Sequence, residues 1–313
     1  MPLETLPVIS LTTEPDALSR ELGESFQTFG FAMVKDHGID ADLIARAWKL
    51  TAEFFALPEA EKRSYYIDGL GGARGYTPFG TEIAKGAKRH DLKEFWHVGR
   101  DLPADHPLAS MSMFPNIWPT QPEGFRETFE ELYAEFDRVG ARILARIAQW
   151  LGLDEHWFDP AIEDGNSVMR LLHYPPLPAD AEPGAIRAGA HEDINLITLL
   201  LGAEEAGLEL LSKSGDWISV SPPQGALAVN IGDMLQRLTN HVLPSTTHRV
   251  RNPDGERAKH SRYSMPFFLH LRSDFRFETL TQCITDENPD RYPVSITADD
   301  YLQERLREIG LKK

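Results

Sequence analysis

His191 and Asp193 stand two residues apart, His248 follows fifty-five residues after the aspartate, and Arg262 and Ser264 repeat the spacing of two fourteen residues later. In a strand, residues i and i+2 point to the same face, so the His191 imidazole and the Asp193 carboxylate can converge on one ion. A third ligand has to come from elsewhere in the sheet. His248, in the β-branched run Ser-Thr-Thr-His-Arg-Val, is placed to supply it. Two neutral imidazoles and one carboxylate on one face of an octahedral ion leave three positions open. That donor set suits a ferrous centre that takes up a chelating acid and dioxygen. Arg262 and Ser264 put a forked cation and a hydroxyl on one face of a later strand, a pair that suits a carboxylate. A lone His-x-Asp arises by chance in many chains. Here only His191, of eleven histidines, has aspartate at i+2, and the distal histidine and Arg-x-Ser make coincidence a poor explanation.

The elements that must position these residues are legible as a change of period. From Ser167 onward the apolar spacing shortens from about 3.6 towards about 2, in short runs separated by Gly, Pro, Asn and Asp. The runs are 167–174, 194–201, 207–211, 217–220, 226–231, 246–251 and 261–271, with Ser212 to Asp216 as a hairpin turn between two of them. This number of short strands argues for a jelly roll. Asp233 is read as the cap of a short helix, 234–239, and Ala298 to Ile309 as a C-terminal helix.

The first half reads differently. Residues 14–28 form a helical stripe through Leu18, Leu22 and Phe26, and Phe29 to Val34 read as a buried strand. Asp40 is the N-cap of a second helix, whose stripe runs from Leu43 to Phe54. Residues 68–90 are glycine-rich and read as loop, without the spacing of a phosphate-binding motif. Residues 101–121 read as a proline-punctuated connector. Phe125 to Leu151 then advance by threes and fours, giving a long amphipathic helix. The expected division is 1–120, a mixed helical region packing on the core, and 121–313, a support helix and jelly-roll core.

Composition bounds the partners. The 313 residues are 42% hydrophobic and 26% charged, with a net charge of −16 that repels nucleic acid and anionic headgroups. Cys283 is the only cysteine, which rules out an intrachain disulfide and thiolate-rich metal sites and fits a reducing cytoplasm. No window approaches the ~18 apolar residues of a membrane span, and the first residues lack the pattern of a signal peptide.

At this point the chain resembles the iron and 2-oxoglutarate-dependent dioxygenases of the isopenicillin N synthase-like group, over nearly its whole length. Besides His191, Asp193, His248, Arg262 and Ser264, the resemblance rests on Phe29 through His37-Gly38-Ile39 as the N-terminal signature. Gly75-Tyr76 with Asp91-Leu-Lys-Glu94-Phe95 is similar to the middle signature, and Arg170-Leu-Leu-His-Tyr174-Pro-Pro to the strand that enters the core. The resemblance implies a double-stranded β-helix, mainly β with flanking helices. It implies Fe(II), 2-oxoglutarate and dioxygen, the keto acid binding iron through its 1-carboxylate and 2-keto oxygen. Its far carboxylate would meet Arg262 and Ser264, and Tyr174 would lie near its metal-bound end. Many plant relatives carry asparagine where this chain has Leu172.

The implied activity is oxidation of a small-molecule substrate, most simply hydroxylation, with release of succinate and carbon dioxide. Asp193 argues against halogenation, since related halogenases lack that carboxylate. Phe268, Phe95 and Tyr76 are the candidate substrate contacts, with Phe79 in the same loop region. His173, His241, His260 and His270 have no second ligand at useful spacing and are read as background. Two rivals stand beside this reading: an oxidase or cyclase of the same fold that does without 2-oxoglutarate, and a non-catalytic jelly-roll binding protein.

Overall fold

The computed structural model describes residues 5–70, 72–82, 90–111, 113–177, 186–202, 207–253 and 255–308. In chain order the elements are β1 (Val8–Ser10), α1 (Pro15–Phe29), β2 (Phe31–Lys35), α2 (Ala41–Phe55), α3 (Glu59–Arg63), β3 (Gly75–Thr77) and β4 (Glu94–Gly99). They continue through α4 (Phe125–Trp150), α5 (Asp159–Ile162), β5 (Val168–Tyr174), β6 (Ala188–His191), β7 (Ile197–Leu201), β8 (Leu208–Leu211) and β9 (Trp217–Ser219). The last are β10 (Leu227–Ile231), α6 (Asp233–Leu238), β11 (His248–Val250), β12 (Arg262–Leu269) and α7 (Ala298–Glu308).

Two sheets form a jelly roll. The larger runs β1-β2-β10-β7-β12-β5-β4-β3 and the smaller β6-β11-β8-β9. Period-two alternation divides β2, β4, β5 and β10 of the larger sheet between two cores. On β5, Leu172 and Tyr174 point into the cluster shared with Leu208, Leu210 and Val250 of the smaller sheet, whereas Met169 and Leu171 join the larger cluster under the helices. On β10, Ala228 faces one way and Leu227 and Val229 the other.

Helix α4 backs the larger sheet. Its Phe136 ring stacks on Phe267 of β12, with centroids 5.4 Å apart. Gly140 allows the close approach: a Cβ there would lie 2.3 Å from Leu269 Cδ1. The helix runs very nearly over the span its apolar spacing predicts. So does α1, and Asp40 caps α2 by accepting from the Asp42 and Leu43 amides at 2.8 and 3.0 Å.

Several expectations are corrected. β1, β3, β4, α3 and α5 were not legible. β4 reads Glu-Phe-Trp-His-Val-Gly and is buried on both faces, so it shows no polar alternation. Its carboxylate survives burial because Lys62, Tyr76 and His173 all bond Glu94. The β3 segment interrupts the expected 68–90 loop; residues 71 and 83–89 of that stretch lie outside the described residues, as does Ile309 of the expected C-terminal helix. Asp233 is not a helix cap. It is the first residue of α6, and its Oδ2 lies 2.9 Å from Arg305 Nη2 of α7. Among the described residues no helix is long and apolar enough to cross a membrane.

Candidate active site

His191 ends β6, and β11 lays His248 directly opposite it in antiparallel register. The two rings sit with centroids 4.4 Å apart. Asp193 is not in the strand, as the i, i+2 argument required; β6 ends at His191, and irregular chain rather than the pleat delivers the carboxylate. The outcome is the same convergence. One ligand atom from each of His191, Asp193 and His248 lies within 4.8 Å of the others. His191 Nε2 is 3.7 Å from Asp193 Oδ1 and His248 Nε2 is 3.8 Å from Oδ2.

Neighbours hold each donor for an ion. His191 Nδ1 is 2.7 Å from the Gly189 carbonyl and His248 Nδ1 3.1 Å from that of Thr246. A carbonyl can only accept, so both rings carry their proton on Nδ1 and turn the Nε2 lone pair inward. Burial lowers His191 to about 4, with the charge of His248 adding to the effect, so the ring is neutral near pH 7. Burial alone would raise the Asp193 carboxyl. The two histidines, the Thr198 hydroxyl at 2.6 Å and the Asn230 amide at 2.8 Å on its Oδ2 outweigh that and lower it. A charged carboxylate between neutral imidazoles is what a divalent cation requires.

Arg262, Ser264 and Tyr174 meet on the β12–β5 pair. Arg262 stands across from Tyr174 and Ser264 across from Leu172. The guanidinium is 4% exposed, donates to Ser264 Oγ at 3.5 Å and lies 5.1 Å from the centre of the Tyr174 ring. Its Nε has no hydrogen-bond partner and, among the described residues, no carboxylate pairs with it. An uncompensated buried cation is costly, and a ligand carboxylate would relieve that cost, so these residues fit the far end of a diacid. Tyr174 stands beside Arg262 on the paired strand.

Beside the His-Asp-His set opens a cavity of about 730 Å³. His191 and Asp193 line it, together with Phe95, Arg170, Phe268 and His270. Two of the expected substrate contacts, Phe268 and Phe95, are therefore in its wall. Tyr76 is not: it is fully buried, and its hydroxyl is committed to Glu94 and Glu59. Phe79 does not line the cavity either. His270, read from sequence as background, is in the wall with a buried, unpartnered Nδ1, and burial lowers it to about 4. Thr198, Asn230, His97 and a site role for Arg170 were also missed. Asn230, close to the singled-out Asp233, and Arg170, in the signature strand, carried a sequence signal.

Comparison with known proteins identifies the family. Residues 6–121 match the family described as non-haem dioxygenase in morphine synthesis N-terminal, and residues 165–271 match the 2OG-Fe(II) oxygenase superfamily. A 2-oxoglutarate-Fe(II) type oxidoreductase of Emericella nidulans is 35% identical over 294 residues, covering 91% of this chain and 83% of its own. The crystal structure of a 2OG-Fe(II) oxygenase family protein from Caulobacter crescentus superposes with a TM-score of 0.91 at 52% identity, over 98% of this chain and 100% of the other. A full-length Neurospora crassa protein crystallised with alpha-KG gives a TM-score of 0.85 at 28% identity, over 96% and 95% of the two chains.

Proposed function

Because the chain belongs to the 2-oxoglutarate–Fe(II) oxygenase superfamily, we propose that His191, Asp193 and His248 are its iron ligands and that Arg262, Ser264 and Tyr174 hold the far carboxylate of 2-oxoglutarate. When bound, iron and 2-oxoglutarate supply the oxidising chemistry, in which dioxygen converts the keto acid to succinate and carbon dioxide while a C–H bond of a small molecule is oxidised. The chain's own part is to orient and to exclude. Gly189 and Thr246 fix the imidazole tautomers, Thr198 and Asn230 aim the carboxylate, and Arg262 presents a desolvated fork to a carboxylate. Phe95 and Phe268 are the substrate-facing aromatics. The observation that carries this reading is the buried Arg262 cation, without a carboxylate partner among the described residues, on the same fold as a convergent His-Asp-His set.

The same reading assigns residues 1–120 to a region packing on the core and 121–313 to the support helix and catalytic core. A chain of net charge −16 with a single cysteine is read as acting in the cytoplasm on a free small molecule rather than on nucleic acid or at a membrane.

The test is anaerobic titration of the Fe(II)-loaded protein with 2-oxoglutarate, followed by dioxygen uptake against succinate release. A visible charge-transfer band on titration and one succinate per dioxygen are expected. A protein that binds iron but gives neither band nor succinate would favour the oxidase that does without 2-oxoglutarate.

A further inference from the structure

Deep in the cavity wall, Arg170 of β5 pairs in register with His97 of β4. Its guanidinium carbon lies 4.1 Å from the centre of the Phe95 ring and 5.4 Å from that of Phe268. Nε donates to His97 Nε2 at 2.5 Å, and His97 in turn donates from Nδ1 to the Gly72 carbonyl at 2.6 Å. His97 is therefore a neutral spacer that fixes the guanidinium plane. Nη1 reaches Glu82 only at 3.3 to 3.4 Å, and Nη2 has no hydrogen-bond partner among the described residues. Among the described residues, one edge of a held, aromatic-flanked arginine is thus free in a cavity that His191 and Asp193, two of the proposed iron ligands, also line.

Several charged groups lie around it. Glu82 is taken up by Lys93, whose Nζ is 2.6 Å from it and 2.8 Å from Asp91. Arg74, which also lines the cavity, is 2% exposed, leaves Nε and Nη2 without partners and forms no ion pair among the described residues. Arg74 and Lys93 thus add positive charge near Arg170, and among the described residues Glu82 is shared between Lys93 and Arg170, so the outer edge of Arg170 is left for a ligand. A ligand carboxylate on that edge would form charge-assisted hydrogen bonds. Phe268 is only half-buried, so a flat group attached to that carboxylate can lie against its ring.

We propose that Arg170 is the substrate-anchoring residue of this enzyme and that the substrate is a planar, aromatic or conjugated carboxylic acid, its carboxylate on the free edge of Arg170 and its ring against Phe268. This rests on the reading of the neighbouring His-Asp-His set as the oxidising centre. It predicts that the oxidised carbon lies on the part of the acid remote from the carboxylate, because the carboxylate is held at the arginine.

The experiment is calorimetric titration with 4-methylbenzoate and 2-naphthoate, each against its primary amide, which keeps shape and planarity and removes the charge. It is run anaerobically on the protein loaded with Fe(II) and 2-oxoglutarate and again on the metal-free protein. The acids should bind at least tenfold more tightly than the amides in both. Arg170→Leu should remove that preference while keeping the wild-type affinity for 2-oxoglutarate, and Arg170→Lys should restore part of it, since a point charge lacks the fork. Phe268→Ala should weaken acid and amide together. Equal binding of acids and amides, or an acid preference that survives in Arg170→Leu, overturns the proposal. Failure of the wild type to bind 2-oxoglutarate would instead overturn the proposed function, while the metal-free titration still decides the role of Arg170.

Discussion

The residues around Asp193 divide into those that would touch an ion and those that aim them. Asn230 belongs to the second kind, with its amide 2.8 Å from Asp193 Oδ2. Asn230→Ala is expected to weaken Fe(II) affinity about 10- to 100-fold, read by anaerobic metal titration, with little change in 2-oxoglutarate affinity once metal is saturating. Arg262 should behave in the opposite way. Its charge lies at the far end of a diacid and makes no bond to the metal. Arg262→Leu removes charge-assisted hydrogen bonds and leaves a desolvated carboxylate, a loss of about 2 to 5 kcal/mol. That corresponds to roughly thirtyfold to several-thousandfold weaker 2-oxoglutarate binding. Metal affinity should not move. If both constants fall together in either variant, the division of labour between the two sets is wrong.

At the scale of elements, the site depends on how closely α4 can lie on β12. Gly140 faces Leu269, where an added Cβ would come within 2.3 Å of a methyl carbon. β12 carries Arg262, Ser264 and Phe268 on the same strand. Gly140→Val should therefore cost about 1 to 3 kcal/mol by overpacking. A lower urea midpoint with an unchanged slope is the expected signature. Helix α7 matters at the other end: Arg305 pairs with Asp233, which is 3% exposed, and residues of α7 line the cavity. Arg305→Ala strands that carboxylate and should destabilise the protein by up to about 3 to 5 kcal/mol, read in the same unfolding curves. Asp233→Asn in the same background should recover part of the loss, because it removes the stranded charge.

For the whole molecule, buried neutral histidines set the response to acid. Burial holds His270 at about 4 and, with the charge of Arg170, keeps His97 well below the usual imidazole value. Both pKa values are lowered in the fold relative to about 6.5 in an unfolded chain. Between these values the unfolded chain binds more protons, so stability is lost as pH falls from about 6.5 towards about 4. Each such histidine contributes up to about 1.4 kcal/mol per pH unit. Denaturation of the metal-free protein at pH 7, 6 and 5 should show this slope, and His270→Gln should flatten it. A slope untouched by that substitution would mean that His270 is already protonated in the fold.

Much of this was readable before folding, for local reasons. The stripe of α4, the cap of α2 and the Ser212 to Asp216 turn follow from the chemistry of a few neighbouring residues, and each formed where expected. The His-Asp-His set and Arg262 with Ser264 were legible because ligand chemistry restricts residue type and spacing so severely. The local geometry behind them was not: Asp193 lies in irregular chain beyond the strand, and Tyr174 faces Arg262. β4 was hidden because a strand buried on both faces, with Glu94 and His97 satisfied by residues far away in the chain, has no local period to read. The same holds for the substrate wall. Arg170 is an ordinary strand residue until β4 and β12 bring Phe95, His97 and Phe268 around it, and Tyr76 is an equally plausible wall residue until Glu94 claims its hydroxyl. Residue types and spacing determined which chemistry this chain can do; only the packing of distant strands decided what lies beside that chemistry.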